Sequence, residues 1–339
     1  MLVVAGLVNH PSFRNVAEDI IEVAQQYNIK SFWGPKYLGG RLRDYSLRPV
    51  VIGSLIDSNM HFYLALFQAQ PVRRLAYLTA EGPLDTGWWN PKIFNGYVVV
   101  ANSYWTARWL TESKIDLHAI VHHAYNLAAV GKALDKPLTP QGSDRRTVWL
   151  SYLGQTGPRK RIEIALDALR IAQRRTGYGI GLVTNAQIDA YLKPDDRKIV
   201  KMGQFGNMLR DRALALIAGS QYYMHLSRSE GFGMPALEAR ALGIPLIAVD
   251  MQPTTEFVPR KAAYWVPTRD TVRVDGYGMM SFIEHIYDVD EAADIMVQAY
   301  DTYLNHRDDY EEMKHACRVG VEEYAHTRMY RRLISLLGF

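Results

Sequence analysis

Two glutamates with seven residues between them lie in the part of the sequence best suited to chemistry. Glu230 stands in a polar loop after an apolar run, and Glu238 stands about one turn inside the helix predicted to follow. The loop carries Gly231 and Gly233, which let another molecule approach the backbone closely, and Pro235 suits the first turn of a helix. A helix N-terminus exposed in this way offers N–H groups and a positive dipole end to a diphosphate. Two carboxylates so placed can accept hydrogen bonds from two sets of hydroxyls, such as those of a ribose and of a sugar ring.

The residues around the two glutamates form a longer pattern than the spacing alone. Residues 227–248 read Ser-Arg-Ser-Glu-Gly-Phe-Gly-Met-Pro-Ala-Leu-Glu-Ala-Arg-Ala-Leu-Gly-Ile-Pro-Leu-Ile-Ala. This stretch resembles the donor-site signature, including the E-x7-E motif, of retaining GT-B glycosyltransferases in group 1, the family 4-like enzymes. The alternative is structural: Glu238 would be a first-turn glutamate and Glu230 a solvated loop residue.

The resemblance implies a role for each residue of this stretch. Glu230 would contact sugar hydroxyls near the reacting centre and is the first catalytic candidate. Glu238 would hold the ribose hydroxyls of the nucleotide. The backbone of Gly231, Phe232 and Gly233 would approach the sugar and the phosphates.

A basic loop supplies the second part of the expected site. The stretch from Gly154 to Arg161 resembles the family's strand–loop–helix that ends in Gly-Arg-x4-Lys-Gly, and Lys160 falls on its phosphate-binding lysine. A fixed cation there would stabilise the charge that a leaving nucleoside diphosphate gains. Gln155 replaces the expected arginine, so Arg159 or Arg161 becomes the candidate for the missing charge. A solvated basic helix start is the alternative for this cluster.

The nucleotide base is expected at the end of another strand. Gln204 and Phe205 follow the strand predicted at residues 198–202, where the family contacts the base. These residues do not separate uridine, guanosine and adenosine donors.

The N-terminal half matches the family less fully. Glu81 follows a predicted strand whose end, in the family, bears a histidine or an acidic residue facing the sugar, and it is the third catalytic candidate. A turn residue before Gly82 is the alternative. The glycine-rich loop expected after the first strand is absent, since residues 8–12 read Val-Asn-His-Pro-Ser.

No metal site and no cofactor are expected beside the nucleotide-sugar donor. The adjacent His122 and His123 lack a third ligand at fitting spacing, and neighbouring side chains on a strand face opposite ways. The resemblance implies a metal-independent enzyme.

The elements that must position these residues form two α/β units. Apolar runs alternate with helical patterns, which is typical of parallel sheets, and ligands of such sheets bind beyond the carboxyl ends of the strands. We predict a GT-B fold with two Rossmann-like domains facing across a cleft. The boundaries are an acceptor-side domain at 1–126, a linker at 127–146, a nucleotide-sugar-binding domain at 147–310, and C-terminal helices at 311–339 that pack back on the first domain.

Composition narrows the class of protein without naming a substrate. The chain has 339 residues, of which 48% are hydrophobic and 22% charged, and its net charge of +4 is too small to indicate nucleic-acid binding. The lone Cys317 cannot form an internal disulfide, and the N-terminus lacks the pattern of a signal peptide. We therefore expect a cytoplasmic protein, with peripheral membrane contact left open.

These observations predict a hexosyltransferase that moves a sugar from a UDP-, GDP- or ADP-linked donor to an acceptor hydroxyl with retention of configuration. The acceptor (a glycan, lipid, protein or small molecule) is not defined by the sequence. Two alternatives remain: a catalytically degenerate protein of this fold that acts as a binding or assembly module, and a nucleotide-sugar epimerase on the same scaffold.

Overall fold

The computed structural model describes residues 1–6, 10–34, 47–55, 57, 59–68, 71–85, 87–140, 146–157, 159–276 and 279–339. The chain alternates strands and helices over its whole described length. The strands are β1 (Leu2–Gly6), β2 (Ser31–Trp33), β3 (Arg48–Ser54), β4 (Arg74–Thr79), β5 (Tyr97–Ala101), β6 (Ala119–Ile120), β7 (Val148–Tyr152), β8 (Ile180–Thr184), β9 (Ile199–Lys201), β10 (Tyr222–His225), β11 (Leu246–Val249), β12 (Ala263–Val266), β13 (Asp270–Gly276) and β14 (Met280–Ile286).

The α-helices lie between these strands and at the C-terminal end. They are α1 (Pro11–Gln26), α2 (Asn59–Gln68), α3 (Tyr104–Glu112), α4 (Leu127–Asp135), α5 (Ile162–Arg175), α6 (Arg210–Ala218), α7 (Met234–Ala241), α8 (Thr254–Phe257), α9 (Val289–Asn305), α10 (Arg307–Arg318) and α11 (His326–Ser335). Within the described ranges, short 3₁₀ turns lie at Pro91–Phe94, Asp189–Tyr191, Arg260–Ala262 and Val321–Tyr324.

The chain divides into two compact units. The first consists of Met1–Asn126, Arg273–Ile283 and Glu323–Phe339, and the second of Leu127–Val272 and Glu284–Glu322. Strands β13 and β14 pair with each other, and each of them has residues in both units.

Each unit is built on a six-stranded sheet. The strand order is β2-β1-β3-β4-β5-β6 in the first unit and β12-β11-β10-β7-β8-β9 in the second, and all the strand pairs within both sheets are parallel. The central strands are buried along their whole length, which explains why they appear in the sequence as continuous apolar runs rather than as alternating patterns. The predicted α/β class with two parallel sheets is confirmed.

Local sequence signals explain several helix starts. Ser103 is the N-cap of α3, and its side-chain oxygen accepts a hydrogen bond from the N–H of Thr106. Asp288 does the same for Glu291 at the start of α9. Pro11 occupies the first turn of α1, where its missing N–H leaves no hydrogen bond unmade.

Two segments differ from the boundaries expected from the sequence. Leu127–Asp135, assigned to a linker, forms helix α4, which buries Val130 and Ala133 and packs on α6 within the second unit. Gly131 lowers the helix propensity of this segment, which made it resemble a linker in the sequence. Helix α10 also belongs to the second unit, and only Glu323–Phe339 joins the first.

The last helix packs on the first unit, as the sequence predicted. Helix α11 lies against α1 and buries Met329, Tyr330, Leu333 and Ile334. The hydroxyl of Tyr330 accepts a hydrogen bond from the N–H of Ala124 at 3.3 Å. The short connection before α11 pairs with the end of the first unit's chain, since the N–H groups of Tyr125 and His326 donate to Tyr324 and Tyr125 respectively.

Across the described residues, no helix combines the length and the apolar character needed to cross a membrane.

We expect Tyr330 to carry much of the attachment of α11. Tyr330→Ala should lower the free energy of unfolding by about 3 kcal/mol or more, because it leaves a cavity at a fully buried aromatic ring. Tyr330→Phe removes only the hydroxyl and should cost about 1 kcal/mol. Urea titration followed by circular dichroism measures both, with the exposed Arg332→Ala as control. A Tyr330→Ala midpoint equal to that of the control would contradict this packing.

Candidate functional site

The candidate site lies at the carboxyl ends of the second unit's strands. Strand β10 ends at His225 and α7 begins at Met234, and the loop between them carries Glu230 to Gly233. Gly233 has φ +91° and ψ +49°, in the left-handed region. A Cβ at this position would lie 3.2 Å from Nε2 of His225, so the turn into α7 needs a glycine here.

Glu230 is buried among cations. Its side chain is 7% exposed and forms an ion pair with the ammonium of Lys160. Nη1 of Arg159 lies 3.8 Å from Oε2 of Glu230 and donates to the backbone oxygen of Ser229 at 3.4 Å. Burial alone would raise the pKa of Glu230, but Lys160, with smaller contributions from His225 and Arg159, outweighs it and lowers this pKa to about 2. Glu230 is therefore a carboxylate at neutral pH.

A buried histidine completes the surroundings of Glu230. Nε2 of His225 lies 4.0 Å from Oε1 of Glu230 and 3.1 Å from Oγ1 of Thr254. Burial lowers the pKa of His225 to about 4, against the opposing effect of Glu230. The imidazole is therefore neutral at pH 7, and the positive charge beside Glu230 comes from Lys160 and Arg159.

The loop after β7 presents these two cations. It begins at Gly154, whose N–H donates to Oδ1 of Asn185 at 3.4 Å. The hydroxyl of Tyr152 donates to the backbone oxygen of Gln155 at 3.3 Å, and the side chain of Gln155 is exposed. The arginine expected at position 155 is thus absent, and the structure places Arg159 beside Glu230.

Glu238 forms the second buried carboxylate of the site. It is 6% exposed, and its Oε1 lies 3.2 Å from Nη2 of Arg210, the first residue of α6. Glu230 and Glu238 are thus each held next to a cation that comes from a different part of the chain.

Two aromatic residues of the expected site have different surroundings. The ring of Phe232 is buried and stacks on Phe257, with centroids 4.7 Å apart and planes 18° apart, so its side chain fixes the loop. The N–H of Phe205 donates to the backbone oxygen of Asn185 at 2.7 Å, and the neighbouring Gln204 has an exposed side chain. Asn185 thereby ties the Gly154 loop to the Phe205 loop.

Asn185 and Arg210 were missed by the sequence analysis. Asn185 directly follows β8, and a polar residue at the carboxyl end of a parallel strand is a usable signal that could have identified it. Arg210 carries no such signal, because its contact with Glu238 arises only when α6 packs beside α7.

Glu81 lies in the first unit, beyond the end of β4, and is 5% exposed. Its backbone oxygen accepts from the N–H of Ile283 at 3.3 Å, and the N–H of Ser281 donates to Pro83 at 2.8 Å. A Cβ on Gly82 would lie 2.2 Å from the backbone oxygen of Ser281, so glycine is required for this close pairing. Residues 8 and 9, in the stretch where the glycine-rich loop was sought, lie outside the described residues.

The paired histidines do not form part of a metal-binding group among the described residues. The described residues contain no group of three or more His, Cys, Asp or Glu side chains arranged to hold a metal ion. His123 is buried, and its ring contacts Tyr77 at 5.0 Å between centroids. Burial lowers the pKa of His123 to about 3.

The chain is similar to known proteins in sequence and in fold. Residues 192–273, which include the Gln204–Phe205 loop, both glutamates and α7, match the family model for glycosyl transferases group 1. The chain is also similar to an uncharacterized glycosyltransferase of Sulfolobus islandicus rod-shaped virus 1, with 24% identity over 269 residues, which cover 74% of this chain and 76% of that protein.

Solved structures share the fold. The glycosyltransferase from Rickettsia africae ESF-5 superposes with a TM-score of 0.67 at 13% identity, covering 99% of this chain and 97% of that one. Anabaena HepE, in complex with UDP and glucose, superposes with a TM-score of 0.67 at 12% identity, covering 99% of both chains. The fold is that of the GT-B glycosyltransferases, and the family match supports a glycosyltransferase function.

The buried ion pair predicts a pH-dependent contribution to stability. The pKa of Glu230 in the folded protein, about 2, lies below its ordinary value of 4.5. The pair therefore stabilises the folded state fully above pH 4.5, and the stabilisation disappears as pH falls towards 2. Glu230→Gln should lower the free energy of unfolding by roughly 3 kcal/mol at pH 7 and by progressively less below pH 4.5.

Urea titrations between pH 7 and pH 3 measure this difference, with the exposed Glu322→Gln as control. A difference between wild type and Glu230→Gln that stays constant across this range would contradict the ion pair.

Proposed function

We propose that this protein transfers a sugar from a nucleoside-diphosphate sugar to an acceptor hydroxyl, with retention of anomeric configuration and without a metal ion. The observation that carries the proposal is the convergence of Lys160 and Arg159 on Glu230, next to the N-terminus of α7. This arrangement offers two fixed cations and a helix end to a diphosphate, and the carboxylates of Glu230 and Glu238 can accept hydrogen bonds from hydroxyls.

The diphosphate is the ligand that suits the cations best. In the structure Lys160 is paired with Glu230, so a bound diphosphate would exchange one anionic partner for another. The exchange keeps the ammonium of Lys160 paired with an anion throughout. The released Glu230 would then accept hydrogen bonds from hydroxyls of the donor sugar.

The nucleoside is proposed to lie against the α6–α7 side of the site. Glu238 accepts the ribose hydroxyls, and the backbone of Gln204 and Phe205 contacts the base. UDP is bound to the structural relative HepE, which makes UDP-sugars the first donors to test. GDP- and ADP-sugars follow.

Transfer needs little covalent chemistry from the protein. As the glycosidic bond breaks, its electron pair goes to the diphosphate oxygen, and Lys160 and Arg159 stabilise the charge that develops there. The departing phosphate takes the proton of the acceptor hydroxyl, which forms the new bond on the same face of the sugar. Glu81, in the first unit, remains the candidate for contact with the reacting sugar.

A binding or assembly role is the second candidate, and one observation favours it: Gln155 stands in place of the expected arginine. The position of Arg159 beside Glu230 weakens that argument, because it restores a second cation to the site.

Nucleotide binding should reveal the donor class. Among UDP, GDP, ADP and their sugar conjugates, one nucleotide should raise the melting temperature of the protein selectively, by mass action on the folded state. Glu238→Ala should abolish the shift, because the ribose hydroxyls lose their acceptor, while Glu322→Ala should keep it. No shift with any nucleotide at millimolar concentration would favour the assembly role.

Turnover should depend on Glu230 more than binding does. We expect Glu230→Gln to lower kcat for transfer or donor hydrolysis at least about a hundredfold, with little change in donor KM, because its hydroxyl contacts strengthen as the sugar reacts. NMR of the product should show the donor's anomeric configuration, and EDTA should leave the rate unchanged. Near-wild-type turnover by Glu230→Gln, or an inverted product, would contradict the proposed mechanism.

A further inference from the structure

Arg161 adopts a backbone conformation that is unusual for its residue type. It has φ +49° and ψ +44°, in the left-handed region, and it caps the start of α5. For a residue with a Cβ this conformation is strained, because the Cβ lies too close to the following carbonyl oxygen. The donor-site pattern that the loop resembles has glycine after its lysine, and glycine adopts the conformation freely.

A buried glutamate holds the Arg161 side chain. Nε of Arg161 lies 3.3 Å and 3.4 Å from the two carboxylate oxygens of Glu284, whose side chain is 5% exposed. Glu284 is fixed in turn by its neighbour, because the N–H of His285 donates to the backbone oxygen of Arg228 at 2.8 Å. A second carboxylate, Glu163, lies 3.5 Å from Nη1 of Arg161 but is 39% exposed.

The backbone at Arg161 sets the direction of the two residues before it. Helix α5 is fixed on the sheet by its buried face, so the dihedral angles at residue 161 decide where Arg159 and Lys160 project. In the observed conformation both side chains reach Glu230.

We propose that Glu284 is a positioning residue for the donor diphosphate: it holds Arg161 in the left-handed turn that directs Lys160 and Arg159 into the site. The inference rests on the proposed function, because it assigns these two cations to a nucleoside diphosphate. It also gives Arg161 a role distinct from that of Arg159, since the guanidinium of Arg161 engages Glu284 and Glu163.

The test compares binding of the selected nucleoside diphosphate and of its parent nucleoside by calorimetry. Glu284→Gln, which keeps the side chain's shape, should weaken nucleoside diphosphate affinity roughly three- to tenfold and leave nucleoside affinity unchanged. Glu163→Gln, at the more exposed carboxylate that contacts the same arginine, is the matched control and should change neither affinity.

A second variant separates positioning from general damage to the fold. Arg161→Gly should keep diphosphate affinity within about twofold, because glycine needs no partner in this turn. In that background Glu284→Gln should have no further effect, as expected when Glu284 acts through Arg161. An equal loss in both backgrounds, or an equal loss of nucleoside affinity, would overturn the proposal.

A measurement without ligand distinguishes this inference from the proposed function. In the ligand-free protein, NMR titration of the Glu230 carboxyl should show a higher pKa in Glu284→Gln than in wild type, because Lys160 and Arg159 no longer converge on it. An unchanged pKa overturns the positioning role even where the diphosphate binds. Failure of the wild type to bind any nucleoside diphosphate overturns the donor assignment, and this inference with it.

Discussion

A carboxylate buried in a protein stays charged when a cation or hydrogen-bond donors lie beside it, and the second unit is organised around one such group. Glu230 is 7% exposed, and its charge is stabilised by Lys160 and Arg159 from a loop about seventy residues earlier in the chain. Neither loop could hold this geometry alone. Parallel strands β7 and β10 lie side by side, so the loops that follow them emerge at the same edge of the sheet.

The same ion pair allows Lys160 to exchange one anionic partner for another. In the ligand-free protein the anion beside Lys160 is a side chain, and a diphosphate offers the same charge with more acceptor oxygens. The neutral His225 adds shape and a hydrogen bond to Thr254 without adding a positive charge. Selective binding of a diphosphate then depends on how firmly the loop positions Lys160 and Arg159. The proposed role of Arg161 and Glu284 is to set that position.

Local chemistry explains which parts of this architecture could be predicted from the sequence. The strand–loop–helix around Glu230 could be predicted from glycines and a proline that lie close together in the chain. Lys160 could be predicted because the loop that carries it resembles a known pattern. Arg210 and Glu284 could not be found in this way, because their contacts depend on packing between segments far apart in sequence. Asn185 differs from them, since its position directly after β8 is a usable signal. Helix α4 was missed for a different reason. Gly131 lowers its helix propensity, and the helix is stabilised by packing on α6.

The most direct test of the account is the affinity for a nucleoside diphosphate, measured by calorimetry at pH 7.5 on wild type, Lys160→Met and Glu230→Gln. The account predicts that Lys160→Met binds at least about tenfold more weakly, since a charge-assisted contact to the diphosphate is lost. Glu230→Gln should bind as tightly as wild type or more tightly, because the side chain that competes for Lys160 has lost its charge. Equal weakening in both variants would contradict the account, since it would make the Lys160–Glu230 pair a structural element rather than the place where the donor binds.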